Sequence, residues 1–173
     1  MAKMKFWSGR KVIYLGLFTG IAIALHFLES NFPPLLPLPG VKVGLANIVT
    51  LFVFFVIGSR EALLVLLVRI LIGNLLRGTF LNIGFFLSLS GGIVGFLVLY
   101  LLSRKLRSVV GLSVASAVAH NLAQLSVAFL YVGNKAIFLY LPLLVFVGIF
   151  FGFFCGYAGA FLVSIWRQRF ARS

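Results

Sequence analysis

Apolar residues fill this chain almost end to end in five or six long runs, and polar residues collect at the breaks between them. The runs predict helices over residues 12–28, 43–57, 62–76, 80–102, 112–132 and 137–166. A membrane-crossing helix needs about twenty predominantly apolar residues. The second and third runs fall short of that length. Gly58-Ser59-Arg60-Glu61 divides them as a tight turn, so they read as a helical hairpin. The alternative is one helix over 44–76, which at about 1.5 Å per residue would far exceed a bilayer. In lipid a helix satisfies its own backbone hydrogen bonds. The expected fold class is therefore all-α: a polytopic membrane protein with six transmembrane helices, in a single integral membrane domain over residues 1–173.

Composition agrees with a lipid solvent. About half the residues of a soluble domain are apolar; here 62% are hydrophobic and the mean hydropathy is +1.19. Met1 to Lys11 has the basic start of a signal peptide, but no convincing small-residue cleavage site follows, so the first run reads as a retained span. Net charge is +13. In a soluble protein that would suggest nucleic acid; here most basic residues flank spans, and nucleic acid is not an expected partner. With six spans, one side carries Lys3, Lys5, Arg10, Lys11, Arg60, Arg104, Lys105, Arg107, Arg167, Arg169 and Arg172, and the other only Lys42, Arg77 and Lys135. Positive charge marks the cytoplasmic side. Both termini are expected there, in a multi-pass protein of the cytoplasmic membrane, with Trp7 and Trp166 near that interface. Cys155 is the one cysteine, read as a small lipid- or core-facing hydrophobe; with two scattered histidines it makes no metal site.

Four of the chain's prolines and Gly40 fall within 30–42. Proline removes an amide donor and fixes the backbone, so this outer loop should be stiff. It can be a plain connector or a lid across a cavity, and both readings stay open. Small residues recur every four positions: Gly16, Gly20 and Ala24; Gly84, Ser88 and Gly92; Ala115, Ala119 and Ala123; Gly148, Gly152, Gly156, Ala160 and Ser164. Such stripes let helix backbones approach closely in lipid. For the last three, internal packing is the preferred reading. A peripheral first helix could offer its stripe to another protein.

Polar residues inside spans are costly and point to function. Arg69 is the costliest, at about 2.5–3.5 kcal/mol on insertion scales, and the sequence puts no acidic residue at similar depth. Carbonyl binding or snorkelling is the structural alternative. His26, Glu29, Asn47, Asn74, Arg77 and Asn82 fall in the outer half, as do His120, Asn121 and Gln124 on the fifth helix. Interhelical hydrogen bonding explains any one of them. Convergence from five helices favours a polar cavity of cationic bias, for a small solute carrying a carboxylate, phosphate or polarised carbonyl. Arg69, Asn74, His120, Asn121 and Gln124 are expected to line it, with Asn47 and Arg77 nearer its mouth. No Walker A sequence and no deep proton relay occur, so concentrating a solute would need an energised partner. No catalytic role, cofactor or metal is expected.

The segment Pro39-Gly40-Val41-Lys42-Val43-Gly44-Leu45-Ala46-Asn47-Ile48, the prolines before it, and the stretch from Arg69 through Arg77 resemble the Gx transporter family, also labelled component I of heptaprenyl diphosphate synthase. The similarity covers nearly the whole chain. Members resemble substrate-binding S components of energy-coupling factor (ECF) transporters. That resemblance implies a six-helix bundle with a substrate cavity near the outer face. It also implies a small-residue stripe on the first helix that docks a transmembrane coupling protein driven by two ATPases. Gly16, Gly20 and Ala24 match that stripe in kind, the usual residues there being alanines. The family label implies a different chemistry. Prenyl diphosphate synthases hold magnesium and diphosphate with aspartate-rich motifs, and this chain has no aspartate. A non-catalytic membrane accessory of such an enzyme is the second expectation. A structural subunit of a redox or lipid pathway is the third.

Overall fold

A computed structural model describes residues 9–31 and 44–170. It has six α-helices and no strand among those residues: α1 (Gly9–Asn31), α2 (Leu45–Val56), α3 (Ser59–Leu76), α4 (Ile83–Leu102), α5 (Val109–Val132) and α6 (Leu141–Phe170). A 3-10 helix, Lys135–Tyr140, leads into α6. Trp7 and most of the proline-rich 30–42 loop lie outside the described residues.

The breaks have local causes. Gly58, at φ 155°, ends the α2–α3 turn, and a Cβ there would meet the Glu61 carboxylate at 2.5 Å. The hairpin reading therefore holds and the single long helix does not form. α4 starts three residues later than expected. Gly78 and Leu81 take left-handed backbone there, and Asn82 caps the helix by accepting from the Ile83 amide at 2.6 Å. Asn82 is thus a cap and does not reach the interior. Ser108 caps α5 through the Gly111 amide, starting that helix earlier than expected. The expected sixth run is divided at Tyr140–Leu141, where Pro142 sits in the first turn of α6, the position at which a missing amide costs least.

Among the described residues, four helical segments are long and apolar enough to cross a membrane: Lys11–Glu29, Ile83–Leu102, Val109–Val132 and Lys135–Arg169. This is a membrane protein. The other two helices differ. α2, with 12 residues, is about 18 Å long, against about 30 Å of hydrocarbon. α3, with 18 residues, carries Arg60, Glu61 and Arg69.

α4, α5 and α6 pack through small residues. A Cβ on Gly148, Gly152 or Gly156 would lie 3.1, 2.8 or 2.8 Å from the Cα of Val118, Val114 or Val110. The glycine ladder of α6 is therefore an α5 contact. On α4 the close contacts with α5 come from Gly91 and Gly95, while Gly92 faces Ile70 and Leu66 of α3 and Gly84 has open space around it. Ala119 and Ala123 line a shallow groove between α4 and α5.

The α1–α3 half packs through larger groups. Trp166 of α6 is edge-on to Tyr14, Phe18 and Phe52, with centroids 5.4, 6.2 and 5.7 Å away. Beside this cluster Lys11 donates to Glu61 at 2.5 Å, and both residues are buried. Lys11 had been counted with the charges flanking the first span; it is an interhelical clamp between α1 and α3.

Candidate functional site

Away from that clamp, between the two halves, the six helices enclose a cavity of about 100 Å³. Its most costly occupant is Arg69, 5% exposed, on the inner face of α3. The Arg69 Nη2 donates to Asn47 Oδ1 at 2.5 Å. Its Nε is buried and has no hydrogen-bond partner among the described residues. An unpaired buried donor costs about 1–3 kcal/mol, more for a charged group. Arg69 is buried on the inner face of α3 and bonds the Asn47 side chain there.

The recessed start of α2 builds the floor. Gly44, at φ 88°, turns the chain into the helix, and the amides of Gly44 and Leu45 donate to the Glu29 carboxylate. A carboxylate suits the positive end of a helix. Glu29 is buried, lines the cavity, and acts electrostatically on Arg69. The acidic residue that the sequence places near the outer end of the first span thus reaches the same cavity as Arg69. The 12-residue α2 starts against the end of α1, where Glu29 receives its amides. The Cys155 thiol, against the Gly44 carbonyl at 3.6 Å, closes the same corner, so Cys155 faces the cavity rather than lipid.

α5 supplies the opposite wall. His120 and Gln124, one turn apart, both line the cavity and both rest on Gly91, where a Cβ would come within 2.8 Å of the imidazole. Asn121 lines it too, its Nδ2 donating to the Leu144 carbonyl at 2.8 Å. On the α1 side His26 is seated against Gly73. Ser88, Ser113 and Ser116 add hydroxyls, and Phe96 and Phe151 add ring surface. Among the described residues no group of three or more His, Cys, Asp or Glu side chains is arranged to hold a metal.

Of the residues expected at the site, Asn47, Arg69, His120, Asn121 and Gln124 meet at the cavity. Asn74 and Arg77 do not line it. Asn74 is fully buried, but its amide donates to Ile70 O at 2.7 Å and accepts from Thr79 Oγ1 at 3.0 Å, closing the end of α3. Five residues on from Arg69, it is turned by about 140° around the helix. Arg77 sits in the turn after α3, half-buried. His26 and Glu29, which the sequence marks only as polar outer-half residues, also line the cavity. Gly73 and Gly91, placed to receive the imidazoles, are the sequence signal for the histidines; no local signal marks Glu29, because its partners lie fifteen residues on.

A family profile described as heptaprenyl diphosphate synthase component I matches residues 18–162. No curated protein and no solved structure matches the chain. The match runs from within α1 to late α6 and takes in every helix that lines the cavity, and the chain belongs to the heptaprenyl diphosphate synthase component I family.

Proposed function

We propose that this protein is a substrate-binding membrane subunit, an S component of an ECF-type importer, for a small anionic solute. The observation that carries this reading is Arg69, a buried cation that lines the cavity and whose Nε has no hydrogen-bond partner among the described residues. A donor left so can be satisfied by an acceptor on a ligand, which would recover its desolvation cost. In this reading the chain passes six times, with both termini cytoplasmic. α2 and α3 cross as a hairpin whose charges are shielded by the other four helices. Cysteine placed at the exposed Lys135 should then be labelled from outside intact cells; labelling only from the cytoplasmic side would overturn the orientation.

The partner in this reading is a transmembrane coupling protein with two ATPases. Gly16, Gly20 and Ala24 support it: all three are exposed, and nothing lies within 4 Å of a Cβ built on either glycine. Wild type and Arg69→Met, purified alike and shown to be folded, test the binding reading by mass spectrometry of the small molecules they release. Wild type should carry a solute that falls at least tenfold in Arg69→Met. Equal recovery from both would reduce Arg69 to a packing role.

A second reading is favoured by the description of the family: a non-catalytic membrane accessory of a prenyl diphosphate synthase. A chain with no aspartate and two separated glutamates lacks the ligands for magnesium diphosphate chemistry of its own. Copurification separates the readings. A coupling protein with ATPases supports transport; a soluble prenyltransferase supports the accessory role.

A further inference from the structure

We infer that the solute held in this cavity is a compact carboxylate monoanion with its carboxylate seated on Arg69. The inference rests on the solute-binding reading above. Among the described residues, Arg69 is the lysine or arginine that lines the cavity. Asn47 takes one Nη2 donor and orients the guanidinium, while Nε has no hydrogen-bond partner among the described residues. A planar fork with donors to spare matches a planar, two-oxygen acceptor.

Glu29 sets the charge limit. Its carboxylate is matched by the amides at the start of α2, so it does not need Arg69 as a hydrogen-bond partner and leaves that cation for a ligand. It remains a fixed negative charge in the same small space, however, and opposes a second negative charge on the solute. A phosphate ester brings about −1.5 to −2 at neutral pH, and a diphosphate brings more. Hard cations that would neutralise such groups need clustered oxygen ligands, and no such cluster occurs among the described residues. Size points the same way. A cavity of about 100 Å³ suits a compact solute. The other wall groups are the imidazoles of His26 and His120, the polar side chains of Ser88, Asn121 and Gln124, and the rings of Phe96 and Phe151.

The test is negative-ion fragmentation of whatever wild type releases on denaturation, compared with Arg69→Met and Arg69→Lys. A solute enriched at least tenfold on wild type over Arg69→Met, and fragmenting with loss of carbon dioxide, is the expected result. Arg69→Lys keeps the charge but not the fork, and should retain severalfold less than wild type. An enriched solute that yields phosphate or diphosphate ions, or that is neutral, overturns the inference while solute binding stands. Full retention by Arg69→Lys overturns the two-oxygen seat on the guanidinium. No enriched solute at all removes the binding reading, and this inference with it.

Discussion

The two halves of this bundle are built by opposite means. α4, α5 and α6 meet backbone to backbone over glycines, with Val114 Cα and Val110 Cα directly beneath the missing side chains of Gly152 and Gly156. Within these three helices the only charged residues are Arg167 and Arg169, in the last turn of α6. α1, α2 and α3 meet through rings and ions: the Trp166 cluster, the Lys11–Glu61 pair, Glu29 on the start of α2, and Arg69 on Asn47. In lipid, dispersion and close approach hold the first kind of interface, because apolar side chains gain little by leaving lipid tails for each other. Hydrogen bonds and buried charge hold the second kind, and every such group must be matched or used. The cavity lies where the two meet. The neutral half contributes hydroxyls, amides and His120; the charged half contributes Arg69, His26 and Glu29.

The sharpest way to break the contrast is Gly152→Leu. Overpacking ordinarily costs about 1–3 kcal/mol, but here the obstacle is backbone, so the α5–α6 interface must separate. The variant should fail to give a monodisperse peak in detergent; a wild-type thermal midpoint would refute backbone-limited packing in this half. Next comes Lys11→Met, which leaves Glu61 buried without its partner and should cost about 3 kcal/mol. The double variant Lys11→Met with Glu61→Leu should recover most of the lost stability. No recovery, measured by thermal unfolding, would mean that the pair is not what joins α1 to α3. The smallest effect on folding is expected from Gly20→Leu. Nothing lies within 4 Å of a Cβ there, so stability should stay within about 0.5 kcal/mol, while copurification of a coupling protein is lost. An unfolded Gly20→Leu protein would assign the stripe to internal packing, and a folded variant that still binds its partner would move docking elsewhere.

Much of the fold was legible because its cues are local. Gly58 at the α2–α3 turn acts through its own backbone, whereas the break before Pro142 divides a run, 137–166, that the apolar pattern reads as continuous. The candidate site was legible in part. His120 and Gln124 share a helical face whatever the helix packs against, so their convergence could be read from spacing. Asn74 and Arg77 were misjudged because similar depth does not imply a similar direction. Asn74 is turned away from Arg69 by the pitch of α3 and spends its hydrogen bonds on its own helix end.

The sequence by itself determined the solvent, the helical class and the places where helices stop. Each is set by composition over some twenty residues or by a single glycine, proline or capping side chain, and none of the three needs a distant partner. The tertiary structure alone decided which polar groups meet. Lys11 finds Glu61 fifty residues away, Arg69 finds Asn47 across twenty-two, and Glu29 finds the first amide of the α2 end across fifteen. Those pairings depend on how far each helix is rotated and recessed. Rotation and recess are fixed by which neighbour presents a glycine and which presents a ring.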